Sequence, residues 1–212
     1  MRGVPKWSTV AKGPVVGSSW MQTAFPTCLV RTGSVSSDLN AFINVSMECG
    51  DEDGETVRVT ITSTNAVVES YIAFGPGTDM ENMDPAICII SLDKSYECKD
   101  FQSSANNIAP DRDTTDNGQN NVVFDTKTSS FNDTLKTATF NFTRPMIRSE
   151  ELDLAFPLST EAKFVWAYGV FSSSTINKHT ERNVLTLDTK NICGAVSLMI
   201  KGLVLLGVAS FI

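Results

Sequence analysis

Short stretches of alternating apolar and polar residues recur along most of this 212-residue chain, and a period of two marks strands with one face in a core. Thr56 to Thr62 alternates most cleanly, with Val57, Val59 and Ile61 between polar neighbours, and Asn40 to Met47 follows the same rule. Residues 67–74, 86–92, 121–124, 134–142, 164–171 and 183–187 add β-branched or aromatic runs. Turn residues separate them: Asp51-Glu52-Asp53-Gly54, Gly75-Pro76-Gly77 and Asp116-Asn117-Gly118. About eight strands, with no sustained 3.6-residue period outside the C-terminal tail, predict an all-β, antiparallel sandwich over residues 28–190. Residues 1–27 read as an N-terminal tail, and Ser103 to Gln119 reads as a long polar loop.

Composition narrows the function. With 24 acidic against 17 basic residues and a net charge of -7, the chain lacks the basic surface that a phosphate backbone requires, so no nucleic-acid partner is expected. The single histidine, His179, leaves no histidine cluster and no two-histidine zinc site, and it argues against a catalytic triad. Glu150, Glu151 and Asp153 cluster, but a charged run of this kind reads as a solvated face, which gives an intrinsic enzyme little support. Cys28, Cys49, Cys88, Cys98 and Cys193 show no CxxC spacing, so disulfides are the better reading, with one cysteine left over. Spacing does not fix the pairing, although Cys88 and Cys98 could meet across a hairpin. Sequons at Asn44, Asn132 and Asn141 point to glycosylation in the same oxidising, extracellular setting.

The two ends bear on localisation. Residues 1–27 contain no secretory signal, which conflicts with that setting and suggests a start upstream of Met1. Residues 194–212 are apolar apart from Lys201 and two serines. As a helix they would span roughly 28 Å, close to a hydrocarbon core. Gly194 and Ala195 before an apolar terminus resemble a glycolipid-anchor signal; a single membrane span is the rival reading, and a buried core helix is a third.

Two segments carry possible chemistry. Tyr71 to Ile90 holds a strand ending at Gly75, then a loop with Met80 and Met83, then a second apolar strand. Phe164 to Arg182 is an aromatic strand running into a polar loop that delivers His179. A thioether and a neutral imidazole are the side chains that ligate haem iron in electron-transfer proteins, and without CxxCH the haem would be held noncovalently.

The order Tyr71-Ile-Ala-Phe-Gly75, methionine loop, Phe140-Asn-Phe-Thr-Arg-Pro145, Phe164-Val-Trp-Ala-Tyr-Gly169 and His179-Thr-Glu-Arg182 resembles a DOMON domain of the ferric-chelate reductase group, over roughly residues 38–188. The resemblance implies an immunoglobulin-like β-sandwich with an end pocket for haem b, or in other members a sugar or no known ligand. It implies Met83, with Ala86 three residues on, and His179 as axial ligands, with Phe74, Trp166 and Tyr168 as walls of the haem site. The chain departs from the family at Asp84-Pro85, where members have glycine after the methionine. A histidine and methionine pair leaves iron no open position, so the site would relay electrons. The implied protein is an extracellular, membrane-tethered haem-b domain whose redox partner is a separate transmembrane b-type cytochrome or another protein. The alternative is a non-redox module that binds a carbohydrate, a hydrophobic ligand or a protein.

Overall fold

The computed structural model describes residues 33–193 apart from 52, 105–106, 111–119, 148–152 and 173–174. The N-terminal tail with Cys28 and the C-terminal segment 194–212 lie outside the described residues. The described chain is all-β, as its alternation predicts, with no helix. It has β1 (Ser34–Asp38), β2 (Ile43–Cys49), β3 (Thr56–Ser63), β4 (Ser70–Pro76), β5 (Ala86–Ile90) and β6 (Tyr96–Ser104). There follow β7 (Asn107–Pro110), β8 (Val123–Phe124), β9 (Ser130–Asn132), β10 (Thr137–Pro145), β11 (Ala162–Ser172) and β12 (Thr175–Leu187).

The strands form two antiparallel sheets packed as a sandwich. The first has the order β1-β2-β3-β10-β8, with β9 also paired to β10; the second has the order β12-β11-β4-β5-β6-β7. In the first sheet the alternation holds residue by residue: β10 reads buried at Ala138, Phe140, Phe142 and Arg144, and half-buried at the positions between. The inward residues of this sheet, among them Val45, Val59, Ile61, Phe140 and Phe142, meet Ile72, Phe74, Cys88, Ile90, Phe164 and Trp166 of the second. Each fully buried residue of this size contributes about 1.5–3 kcal/mol. The solvent side of the first sheet is polar, with Thr60 Oγ1 donating to Asn141 Oδ1 at 2.6 Å across β3 and β10.

The second sheet behaves differently. Every residue of β4 and of β5 is buried, so these strands are covered on both faces. Opposite the sandwich core, Tyr71, Ala73, Ile87, Ile89, Phe101 and Ala167 make a separate apolar cluster. That face positions the candidate site.

Two expectations change. The polar loop expected from Ser103 begins instead with the end of β6 and the short strand β7, paired through Ser103 and Ile108. The loop expected to carry His179 is the first part of β12, a thirteen-residue strand at the edge of the sheet.

Two disulfides close the body. Cys88 and Cys98 stand directly opposite on β5 and β6 and are bonded, and Cys49 at the end of β2 is bonded to Cys193, a sequence separation of 144. Both suit an oxidising compartment.

Candidate functional site

Partners across an antiparallel ladder share a face, so the registers show which way each side chain points. Ala73 pairs with Ala167 and with Ile87, and Tyr71 pairs with Gly169 and with Ile89. His179 pairs with Gly169 and Arg182 with Ala167, so both belong to the face of the outer cluster. His179 reaches that face because β12 is irregular. Tyr168 pairs with Glu181 while Gly169 pairs with His179, so Thr180 is an extra residue, and a second shift falls between Gly169 and Phe171. In a regular strand His179 would share the inward parity of Glu181; the bulge turns it outward.

Tyr71 secures this arrangement. Its ring lies over Gly169, where an added Cβ would come within 2.7 Å of Tyr71 Cε1, so any side chain there would have to displace the ring. Its hydroxyl donates to the Asn177 carbonyl at 3.0 Å, tying the approach of β12 to the centre of the sheet. Burial pushes the Tyr71 phenol up to about 12. His179 is half-buried, and its pKa lies below the usual imidazole value, through desolvation first and then the charges of Arg182 and Lys178. The ring is therefore neutral at neutral pH, the form that binds a metal.

The methionine loop runs past the end of β4. Met83 faces Gly77 in an isolated bridge and is 2% exposed. Gly77 and Tyr71 lie six positions apart on one strand path, so the Met83 and His179 backbones are separated by roughly 20 Å along the strand direction alone. The fold does not bring these two expected ligands together. Met80, three residues earlier, packs against the outer cluster, as do Phe171 and Ile176 from the β11–β12 connection. Its carbonyl accepts a hydrogen bond from Ser103 Oγ on β6. The loop is pinned from inside the sandwich: Arg144 Nη2 meets Asp84 Oδ2 at 2.5 Å, Arg144 Nη1 donates to the Asp84 carbonyl at 2.9 Å, and both residues are buried. Asp100 and Asp153 join Asp84 in this cluster, their carboxylate oxygens all within 4.8 Å of one another.

Phe74 and Trp166 do not wall the outer face. They sit in the core between the sheets, with Phe74 stacked on Phe164 at 5.3 Å, and Tyr168 packs against the same core. These aromatic residues alternate along their strands with the small residues Ala73 and Ala167, which form the other face. Sequence reading followed ring size; the informative signal was the run Ala86-Ile-Cys-Ile-Ile90, too continuously apolar for a strand with one wet face.

A separate groove of about 430 Å³ lies at the sandwich edge between Asn40, Phe42, Asn65, Tyr168, Thr180 and Glu181. Asn40 Nδ2 donates to Glu181 Oε2 at 2.6 Å there, and Phe42 is 51% exposed.

No protein-family model matches the chain, and no curated protein matches it in sequence. Solved structures do resemble it. The cytochrome b domain of pyranose dehydrogenase from Coprinopsis cinerea aligns with a TM-score of 0.52 at 10% identity, over 71% of this chain and 78% of that one. The cytochrome domain of Myriococcum thermophilum cellobiose dehydrogenase aligns with a TM-score of 0.53 at 9% identity, over 77% of this chain and 86% of that one. At this identity the likeness concerns the backbone: the chain shares the sandwich fold of these cytochrome domains.

Proposed function

We propose that this chain is an extracellular electron-transfer domain that holds haem b on the outer face of its second sheet, with His179 as an iron ligand. The observation that supports this most is the bulge that turns the chain's one histidine outward onto an apolar face. The face suits the group. Ala73 and Ala167, without exposed surface, make a low floor; Tyr71, Ile87 and Phe101 surround it with apolar bulk that excludes water.

Bound there, haem b supplies one-electron chemistry at iron. His179 would offer the iron a neutral imidazole nitrogen. Arg144 and Asp84 hold the foot of the methionine loop, and Tyr71 holds the strand that carries His179. The electron donor and acceptor are separate proteins, a dehydrogenase or a transmembrane b-type cytochrome. Residues 194–212 tether the domain to the outer face of a membrane. Mass spectrometry of the mature C-terminus tests this tether: a glycolipid in place of the apolar tail supports an anchor, and an intact tail in a protein that partitions into water refutes any tether.

The absorption spectrum of purified full chain offered haem b tests the ligation. A sharp Soret band that shifts on dithionite reduction is expected. His179→Ala should weaken that band, whereas Met83→Ala should keep it. A chain that remains colourless overturns the haem reading, and an unchanged spectrum in His179→Ala overturns the ligand role of His179.

The groove beside Tyr168 supports a second reading, a non-redox module for a small polar ligand such as a sugar. Exposed Phe42 offers a stacking face, and Asn40, Asn65 and Glu181 offer hydrogen bonds. Glycan binding by colourless protein, abolished in Phe42→Ala, is the result expected of it.

A further inference from the structure

We infer that Arg182 is a ligand-anchoring residue of the outer face, where its guanidinium receives a carboxylate of the bound cofactor; for haem b this is a ring propionate. The inference rests on the haem reading above and assigns a role that the iron ligands do not cover. Arg182 faces outward directly opposite Ala167, which is opposite Ala73 in turn. It therefore stands at the end of the row that forms the floor of the site. On β12 it is the outward position that follows His179, across the Thr180 bulge.

Among the described residues its charge is not neutralised. Arg58, Lys94, Lys99, Lys136, Arg144 and Lys190 each pair with a carboxylate. Arg182 has no ion-pair partner among the described residues, in a chain whose acidic residues outnumber its basic ones by 24 to 17. Lys127, Lys163 and Lys178 are also without one among the described residues, but only Lys178 and Arg182 are the charges that act on His179. Glu181, the nearest acid in sequence, points to the opposite face and is held by Asn40. An unpaired cation at the rim of an apolar floor, one step from the expected iron ligand, suits a ligand whose body is apolar and whose edge carries carboxylates. A guanidinium binds a carboxylate through two parallel hydrogen bonds, and such charge-assisted contacts are worth roughly twice a neutral one.

The test compares haem b with haem b dimethyl ester, whose propionates are blocked, on the full chain and its variants. Arg182→Gln should weaken haem b binding about tenfold and leave dimethyl ester binding unchanged, and Arg182→Lys should recover part of the loss. Lys127→Gln, which removes the same charge from the other sheet, should bind both forms as the parent does. Equal binding of haem b by the parent and Arg182→Gln overturns the role of Arg182 but keeps the haem reading. Equal weakening for both haem forms makes Arg182 a structural residue and also overturns it. Failure of the parent to bind either form removes the haem reading and this inference with it.

Discussion

Arg144 is a buried cation on the inner face of a strand that is otherwise apolar inward, and its reason for being there is Asp84. Removing the guanidinium would leave a buried carboxylate beside Asp100 and Asp153. Arg144→Met is therefore expected to cost about 3–5 kcal/mol in urea unfolding, with the methionine loop losing its anchor at the same time. An unchanged midpoint would show that the pair contributes no net stability. His179 sets a pH dependence. Its imidazole titrates near 6.5 when unfolded and lower in the fold. Between the two values the unfolded chain binds more protons, so the apoprotein loses stability as pH falls through 6.5 and below, and gains none above it. Thermal melts from pH 7.5 to 5 should show this slope, and His179→Gln should flatten it. At this scale the sequence was informative about residue type and poor about direction. It singled out His179 and the methionine loop, but it could not show that Met83 closes against Gly77 while Met80 lies on the outer cluster.

At the scale of the element, strands β2, β3 and β10 were legible because each has one face in the core and one in water, the condition that produces alternation. β12 was not. As an edge strand it is mostly exposed along Thr175–Leu187, so polar residues occupy both faces and the period disappears. The bulge that aims His179 is hidden for the same reason, since an extra residue changes parity without changing composition. β4 and β5 were legible as strands but not as the floor of a site, because their outer face resembles ordinary core. Gly169 tests how firmly this local structure is set. Gly169→Ala would push a methyl group into the ring of Tyr71, whose hydroxyl is engaged with Asn177. A cost of about 1–3 kcal/mol is expected, with displacement of β12 and weaker haem binding. Calorimetry and a haem titration on the same variant would check both, and a variant with the parent's melting point and affinity would show that Tyr71 yields freely.

Across the whole molecule, the two sheets differ in their outer faces, polar on the first and apolar on the second. Asn44 and Asn141 lie on the solvent side of the first sheet, and Asn132 lies at the end of β9 beside it. The Asn44 amide donates to Asp38 Oδ1 and the Asn141 amide to the Thr128 carbonyl, whereas Asn132 is exposed at a turn. Glycopeptide mapping is expected to find Asn132 the most fully occupied, and enzymatic deglycosylation should leave haem affinity unchanged because Asn44, Asn132 and Asn141 belong to the first sheet and His179 to the second. Greater occupancy at Asn141 would contradict the first expectation. The Cys49–Cys193 bridge closes a loop of 144 residues and is expected to contribute about 5 kcal/mol on the chain-entropy account. A Cys49→Ser, Cys193→Ser double variant should melt well below the parent, and matching melts would show that the bridge adds nothing.

That bridge also governs how a pull on the C-terminal end is shared. Ile192 is fully buried, and the Asn191 carbonyl accepts a hydrogen bond from the amide of Gly33, so the chain is already seated where it reaches Cys193. Tension applied beyond that point crosses the sulfur bond into β2, in the interior of the first sheet, before it can act on β12 at the edge of the second. The strand bearing the histidine is thereby spared from peeling, and a domain held by its tail would keep the face of His179 in register under strain that unzips an unbridged edge.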